Sequence, residues 1–233
     1  MSISAHLDQV RQAIAAAARA AARPPESVLL IAVSKTFGPD AVIAAADAGQ
    51  RAFGENYLQE ALDKKLAISE ARPDLALEWH FIGPIQSNKT RPIAENFDWV
   101  HAVDREKIAQ RLSEQRPAHL PPLQICLQVN VSGEDSKSGV SPDDLLPLAR
   151  AVSVMPHLQL RGLMAIPEPT EDPERQRAPF VLLRQLAQQL REAGIETDTL
   201  SMGMSADMAA AIAEGATMVR VGTAIFGQRD YAK

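Results

Sequence analysis

Two cationic side chains stand where an apolar run would ordinarily carry none. Lys35 ends the strand-like part of the stretch LLIAVSKTFGPD (29–40), and Arg220 lies among Met218, Val219 and Val221 in MVRVGTAIFG (218–227). A lysine partly withdrawn from water has a lowered pKa and a more nucleophilic amine, suited to forming an imine with an aldehyde or ketone. Taken alone, Lys35 reads sooner as a solvated strand-end residue. A buried arginine needs a partner, and the plain structural reading pairs Arg220 with a carboxylate such as Glu55. A third feature binds anions. SMGMSAD (201–207) and the Gly222-Thr223 pair offer small side chains, hydroxyls and backbone N–H groups at Ser201, Gly203, Ser205, Gly222 and Thr223. Helix capping explains Ser205 by itself just as well.

Whether these groups meet depends on the elements that carry them. Eight β-rich runs recur along the chain, at 27–35, 51–57, 78–85, 98–104, 123–131, 158–167, 198–204 and 216–227. Helical patterns separate them. Ile3, Leu7, Val10 and Ile14 share a face of a first helix that Arg23-Pro24-Pro25 ends. Pro39 and Gly49 bracket a second. Leu58, Leu62 and Leu66 repeat every fourth residue, a helix signal. Asp104 is placed to cap the segment holding Ile108 and Leu112. Ser141-Pro142-Asp143-Asp144 offers a cap, a first-turn proline and an acid, with Pro147 placed to bend the helix beyond. Phe180, Leu183, Leu186 and Leu190 form a stripe closed by Gly194, and Ser205 and Gly215 delimit the last helix.

Eight strands separated by helices, without hairpin signals, predict a parallel sheet, and eight repeats in 233 residues predict one closed (β/α)8 barrel domain over 1–233. The alternative is an open doubly wound sheet of unusual width. The tail after the eighth strand is short, so the N-terminal helix is expected to cover that seam.

In a barrel alternate residues face inward. Leu29, Ile31, Val33 and Lys35 share one side, and Met218, Arg220 and Gly222 another, leaving Val219 and Val221 for the outer helices. Lys35 and Arg220 then look into one space at the C-terminal mouth, where this fold keeps its sites and where the loops after strands seven and eight hold phosphate. An aldehyde, a ring nitrogen and a phosphate in one ligand describe pyridoxal 5′-phosphate. Lys35 forms the Schiff base, and Arg220 faces the pyridine nitrogen. Arginine is a donor only, so it keeps that nitrogen unprotonated and weakens the electron sink that a carboxylate would strengthen. That suits racemase-like chemistry, or binding with little chemistry.

Bulk properties narrow the rest. Net charge is -5, pI is near 5.6 and basic residues are scattered, which argues against a nucleic-acid surface. A single cysteine, Cys126, fits a reducing compartment, and the N-terminal alanine run interrupted by Arg19 reads neither as a signal peptide nor as a span, so the expected location is cytoplasmic. Cys126 is expected to be an inert packed thiol in a row with Gln124, Gln128 and Asn130 that holds Arg161 or Arg220. His80 and His101 read as hydrogen-bonded barrel histidines or as bases, with the first favoured. His6, His119 and His157 look peripheral. Trp79, Phe81 and Trp99 are expected in the core. The polar segments 86–91 and 134–139 read as loops on the site side, with Lys137 a candidate for an anion.

The motifs LIAVSKT, FGENYLQE, WHFIGPIQSNK, VNVSGEDSKSG, LRGLMAI, LSMGMSADM and VRVGTAIFG run through nearly the whole chain. It resembles the YggS/PROSC family of pyridoxal phosphate homeostasis proteins, which share the barrel of the alanine racemase N-terminal domain. The resemblance implies Lys35 as the Schiff-base lysine, phosphate contacts from the Ser201–Ser205 loop and from Gly222-Thr223, Arg220 at the ring nitrogen, and Asn56 near the cofactor. It implies a protein that binds the cofactor and delivers it, with PLP-dependent apoenzymes as recipients. Alanine racemases take a second base, a tyrosine, from a C-terminal domain and a dimer partner. Here the chain stops after the barrel, with Tyr57 and Tyr231 its only tyrosines, so the expectation is a monomeric carrier without turnover. A PLP-dependent amino-acid racemase is the alternative. A class I aldolase using Lys35 without a cofactor is the third reading.

Overall fold

Parallel neighbours need long crossovers, and here helices supply them. The computed structural model describes residues 2–133 and 138–228, so Lys137 and Tyr231 lie outside the described residues. Each β-rich run forms one strand: β1 Leu29–Val33, β2 Ala52–Glu55, β3 Glu78–Phe81, β4 Trp99–Val103, β5 Leu123–Gln128, β6 Leu158–Met164, β7 Thr199–Ser201 and β8 Met218–Val221. All pair in parallel in chain order, and β8 returns to β1 through Leu29–Met218 and Ile31–Arg220, closing the barrel.

The helices are α1 Ile3–Ala20, α2 Pro39–Asp47, α3 Leu58–Ala71, α4 Thr90–Asn96, α5 Glu106–Gln115, α6 Pro142–Ser153, α7 Pro173–Glu192, α8 Met208–Ala213 and α9 Thr223–Phe226. The four-residue α9 cannot cover its side of the barrel alone. α1 packs across α8 and α9, burying Leu7, Val10, Ile14 and Ala18, and His6 Nδ1 lies 3.0 Å from the Ile225 carbonyl oxygen. The seam is therefore covered as expected. None of the described helices is long and apolar enough to cross a membrane.

Ser141 caps α6, its Oγ accepting from the Asp144 N–H at 3.1 Å, and the helix continues through Pro147. Phe180, Leu183, Leu186 and Leu190 are buried on α7. Leu58, Leu62 and Leu66 do lie on one helix, α3, which turns Ala61, Lys64 and Ile68 inward, around a buried ion pair, and leaves Leu66 at 61% exposure. Three local expectations fail. α5 starts after Arg105, and Asp104 pairs with the Arg105 guanidinium instead of capping. α8 starts at Met208 after Asp207, which leaves Ser205 in the preceding turn. Segment 86–91 is a short 3-10 turn running into α4, with Thr90 buried, rather than an open loop.

Candidate functional site

β1 ends at Val33, and Lys35 follows two residues later at the C-terminal mouth, half-buried. Its backbone is clamped on both sides. Lys64 Nζ, reaching over from α3, donates to the Ser34 carbonyl at 2.8 Å, to Glu55 Oε1 at 2.6 Å and to Glu60 Oε1 at 3.1 Å. Ser34 Oγ donates to Glu55 Oε1 at 2.6 Å, and the Thr36 N–H donates to Glu60 Oε1 at 2.6 Å. Thr36 takes a left-handed φ of +71°, costly for a β-branched residue and held here by that bond. Burial pushes the Glu55 carboxyl up, against the opposing pull of Lys64 and Ser34. Glu55 is thus the partner of Lys64 and not of Arg220, correcting the pairing considered from sequence.

Arg220 is buried, donating from Nη1 to Ser201 Oγ at 2.6 Å and from Nη2 to the Ala165 carbonyl at 2.8 Å. Burial lowers its pKa to about 10, which still leaves it cationic at neutral pH. Gln124 Oε1 accepts from Arg161 at 2.8 Å, so the polar row on β5 holds Arg161, while Arg220 is held from β7 and the end of β6. Cys126 is buried with its thiol pushed up to about 12, first by desolvation, which leaves it a packed, un-ionised group.

The loop after β7 is shaped by Gly203. Its φ is +96°, and a Cβ there would lie 2.7 Å from the Ala211 Cβ. Its carbonyl accepts from the Arg220 N–H at 2.9 Å. Asp207 Oδ1 accepts from the Met204 N–H at 2.6 Å and closes the turn, bringing Ser205 and Ala206 to the cavity wall. Across the mouth, Gly83 lets the end of β3 press on Asn56, since a Cβ would meet the Asn56 carbonyl oxygen at 2.5 Å.

These elements enclose a cavity of about 310 Å³ whose wall includes Lys35, Asn56, Ser205, Arg220, Gly222 and Thr223. That is the low end of the size range for small-molecule sites. Six of the eight residues singled out from sequence therefore share one wall. Ser201 and Gly203 do not reach it: Ser201 is fully buried beneath Arg220, and Gly203 anchors the loop to β8. Asn56 Oδ1 is buried without a hydrogen-bond partner among the described residues, an acceptor left for something placed in the cavity. A larger cavity of about 550 Å³ opens at the opposite mouth, but Arg11 and Arg51 there are bonded to backbone carbonyls of Ala48, Ala46 and Gln50.

Sequence reasoning missed the clamp around Lys35. Glu60 and Lys64 are spaced as an ordinary exposed i,i+4 pair on a helix, and nothing in that spacing announces burial. His80 and His101 are hydrogen-bonded inside the barrel, with Nδ1 of His80 2.9 Å from Nε2 of His101. His101 Nδ1 lies 2.8 Å from Ser201 Oγ.

A closed parallel barrel with a lysine, an arginine and hydroxyl groups at its C-terminal mouth defines a class, the alanine racemase N-terminal domain, and residues 5–230 match that domain. A pyridoxal phosphate homeostasis protein of Pseudomonas aeruginosa is 62% identical over 99% of this chain and 97% of its own length. Its counterpart in Escherichia coli K12 is 55% identical over 99% of this chain and 98% of its own. PipY of Synechococcus elongatus, solved with PLP bound, matches with a TM-score of 0.84 at 37% identity, covering 97% of this chain and 100% of that one. Alanine racemase of Corynebacterium glutamicum shares the fold, with a TM-score of 0.68 at 18% identity over 97% of this chain and 62% of its own. The chain belongs to the family of pyridoxal phosphate homeostasis proteins.

Proposed function

We propose that this protein binds pyridoxal 5′-phosphate at the C-terminal mouth of its barrel, attached through Lys35, and acts in cofactor homeostasis as a carrier rather than a catalyst. The observation that carries this reading is the shared wall of the 310 Å³ cavity, with an amine, a buried guanidinium and hydroxyls facing one volume. When bound, the cofactor supplies an aldehyde and an electron-withdrawing ring. The chain's residues divide the ligand among them. Lys35 takes the aldehyde end. Arg220 faces the ring nitrogen as a donor that does not give up its proton at neutral pH. Ser205, Thr223 and the backbone at Gly222 suit the phosphate, and the orphaned Asn56 Oδ1 suits a donor on the ligand.

The carrier reading is supported by what flanks the site among the described residues. Racemisation needs an acid/base on each face of a substrate carbon. Tyr57 is 51% exposed and is not part of the cavity wall. An open mouth also favours release of the cofactor to apoenzymes over carbanion chemistry, which gains from exclusion of water.

The test is reduction of the protein–cofactor complex with borohydride, followed by peptide mapping. The expected result is a pyridoxyl adduct on the peptide containing Lys35, absent from Lys35→Ala. A colourless protein that instead traps a sugar phosphate at Lys35 points to an aldolase. Sustained deuterium exchange at the α-carbon of L-alanine would replace the carrier with a racemase.

A further inference from the structure

Behind Arg220, side chains from four strands form one continuous hydrogen-bond chain that climbs the barrel interior. It begins at the N-terminal mouth, where the Glu78 side chain is 45% exposed and lines the lower cavity. Glu78 Oε1 lies 2.8 Å from His80 Nε2, and His80 Nδ1 lies 2.9 Å from His101 Nε2. His101 Nδ1 crosses from β4 to Ser201 Oγ on β7 at 2.8 Å, and Ser201 Oγ accepts from Arg220 Nη1 at 2.6 Å. We propose that His101, His80 and Glu78 are positioning residues for the cofactor, fixing the guanidinium of Arg220 and setting its electrostatic surroundings from the far mouth of the barrel. This rests on the reading of Arg220 as the residue facing the cofactor ring.

The chain has a direction. Arg220 donates and cannot accept, so Ser201 receives that proton and has one of its own to give. Burial, then the neighbouring His80 ring and the Arg220 guanidinium, hold His101 well below the usual imidazole range, so it is neutral and carries one N–H. With that N–H on Nε2, Ser201 donates to His101, His101 to His80, and His80 to the carboxylate of Glu78. Every donor meets an acceptor from Arg220 to Glu78. The opposite tautomer turns the bare Nε2 of a neutral His80 toward Glu78, two acceptors face to face. It is satisfied only when His80 holds a second proton, which reverses the chain and frees the Ser201 hydroxyl to turn away. Among the described residues Arg220 makes no ion pair, and Asp207 is the carboxylate that attracts it, at longer range.

The other groups around the histidines leave this pattern intact. Trp99 of β4 stacks on His80 with ring centroids 5.5 Å apart, and β2 sets Gly54 opposite His80. Arg161 of β6 lies 4.9 Å over the Trp99 ring and is neutralised by Asp198 at 2.7 Å. Cys126 of β5 stays un-ionised, and Arg51 and Gln124 share with Glu78 the wall of a cavity at the N-terminal mouth.

Three measurements test the proposal. In the cofactor-free protein at neutral pH, nitrogen-15 NMR of the imidazoles is expected to find the proton of His101 and of His80 on Nε2. A proton on His101 Nδ1 would overturn the assigned direction. In Glu78→Gln loaded with PLP, the pH midpoint of the cofactor's visible absorbance is expected to move to lower pH by about half a unit, because a negative charge feeding the chain is gone. His101→Phe cuts the chain and is expected to weaken PLP binding about tenfold. His101→Asn, whose amide oxygen can replace the acceptor at Nδ1, is expected to recover most of that loss. An unmoved midpoint in Glu78→Gln, together with equal affinity in the Phe and Asn variants, overturns the proposal. Failure of the wild-type protein to give a pyridoxyl adduct on Lys35 defeats the cofactor reading instead, and the NMR result stands apart from it.

Discussion

Lys64 is an example of a residue whose role depends on who surrounds it. Its ammonium and the Glu55 carboxylate are both essentially shielded from water, and together they grip the backbone next to Lys35. Removing one partner of such a pair strands the other charge, so Lys64→Met is expected to destabilise the fold by about 3–5 kcal/mol, measured by denaturant unfolding. The double variant with Glu55→Gln should regain a substantial part of that loss, since no buried charge is then left unpaired. Lys35 and Arg220 were legible in the sequence because a cation inside an apolar run is conspicuous. Lys64 was not, because Glu60 and Lys64 have the spacing of a solvated helix pair. Its burial is created by Glu55 and Ser34 arriving from β2 and from the end of β1.

Among the elements, α1 covers the side of the barrel that the four-residue α9 is too short to cover. Leu7 is fully buried at that contact, so Leu7→Ala is expected to cost about 2–5 kcal/mol in denaturant unfolding. α3 gives the opposite case. Leu66 belongs to a regular leucine pattern, yet it lies outside the core, and Leu66→Ala should change stability by no more than about 0.5 kcal/mol in the same assay. Element type and order were legible because strand runs and helical runs differ in period. Which face of α3 turns inward was not, since Ala61, Lys64 and Ile68 outrank the leucines only once the barrel wall and its buried acid are in place.

For the whole molecule, acid stability tests the interior network. His101 titrates near 6.5 when unfolded and well below that when folded. Between those values the unfolded chain binds the extra proton, so stability is complete above 6.5 and falls as the pH drops below it, at up to about 1.4 kcal/mol per pH unit. Glu55 has the opposite sign, its raised folded pKa favouring the native state in acid. The informative comparison is therefore wild type against His101→Gln, which share Glu55. The variant is expected to lose the His101 slope in urea unfolding curves taken across that range.

The sequence by itself determined the alternation of eight strands and their helices, and the side of the first and last strands on which Lys35 and Arg220 fall. Periodicity carries that information because side chains alternate across a strand. It says which face a residue occupies and nothing of what it meets there. Only closure of the barrel decided that His101 reaches Ser201, one hundred positions away, that Glu55 takes Lys64, and that Ser201 supports Arg220 from below instead of lining the cavity. Those pairings follow from distances across the lumen and around its rim, which exist only after β8 has joined β1.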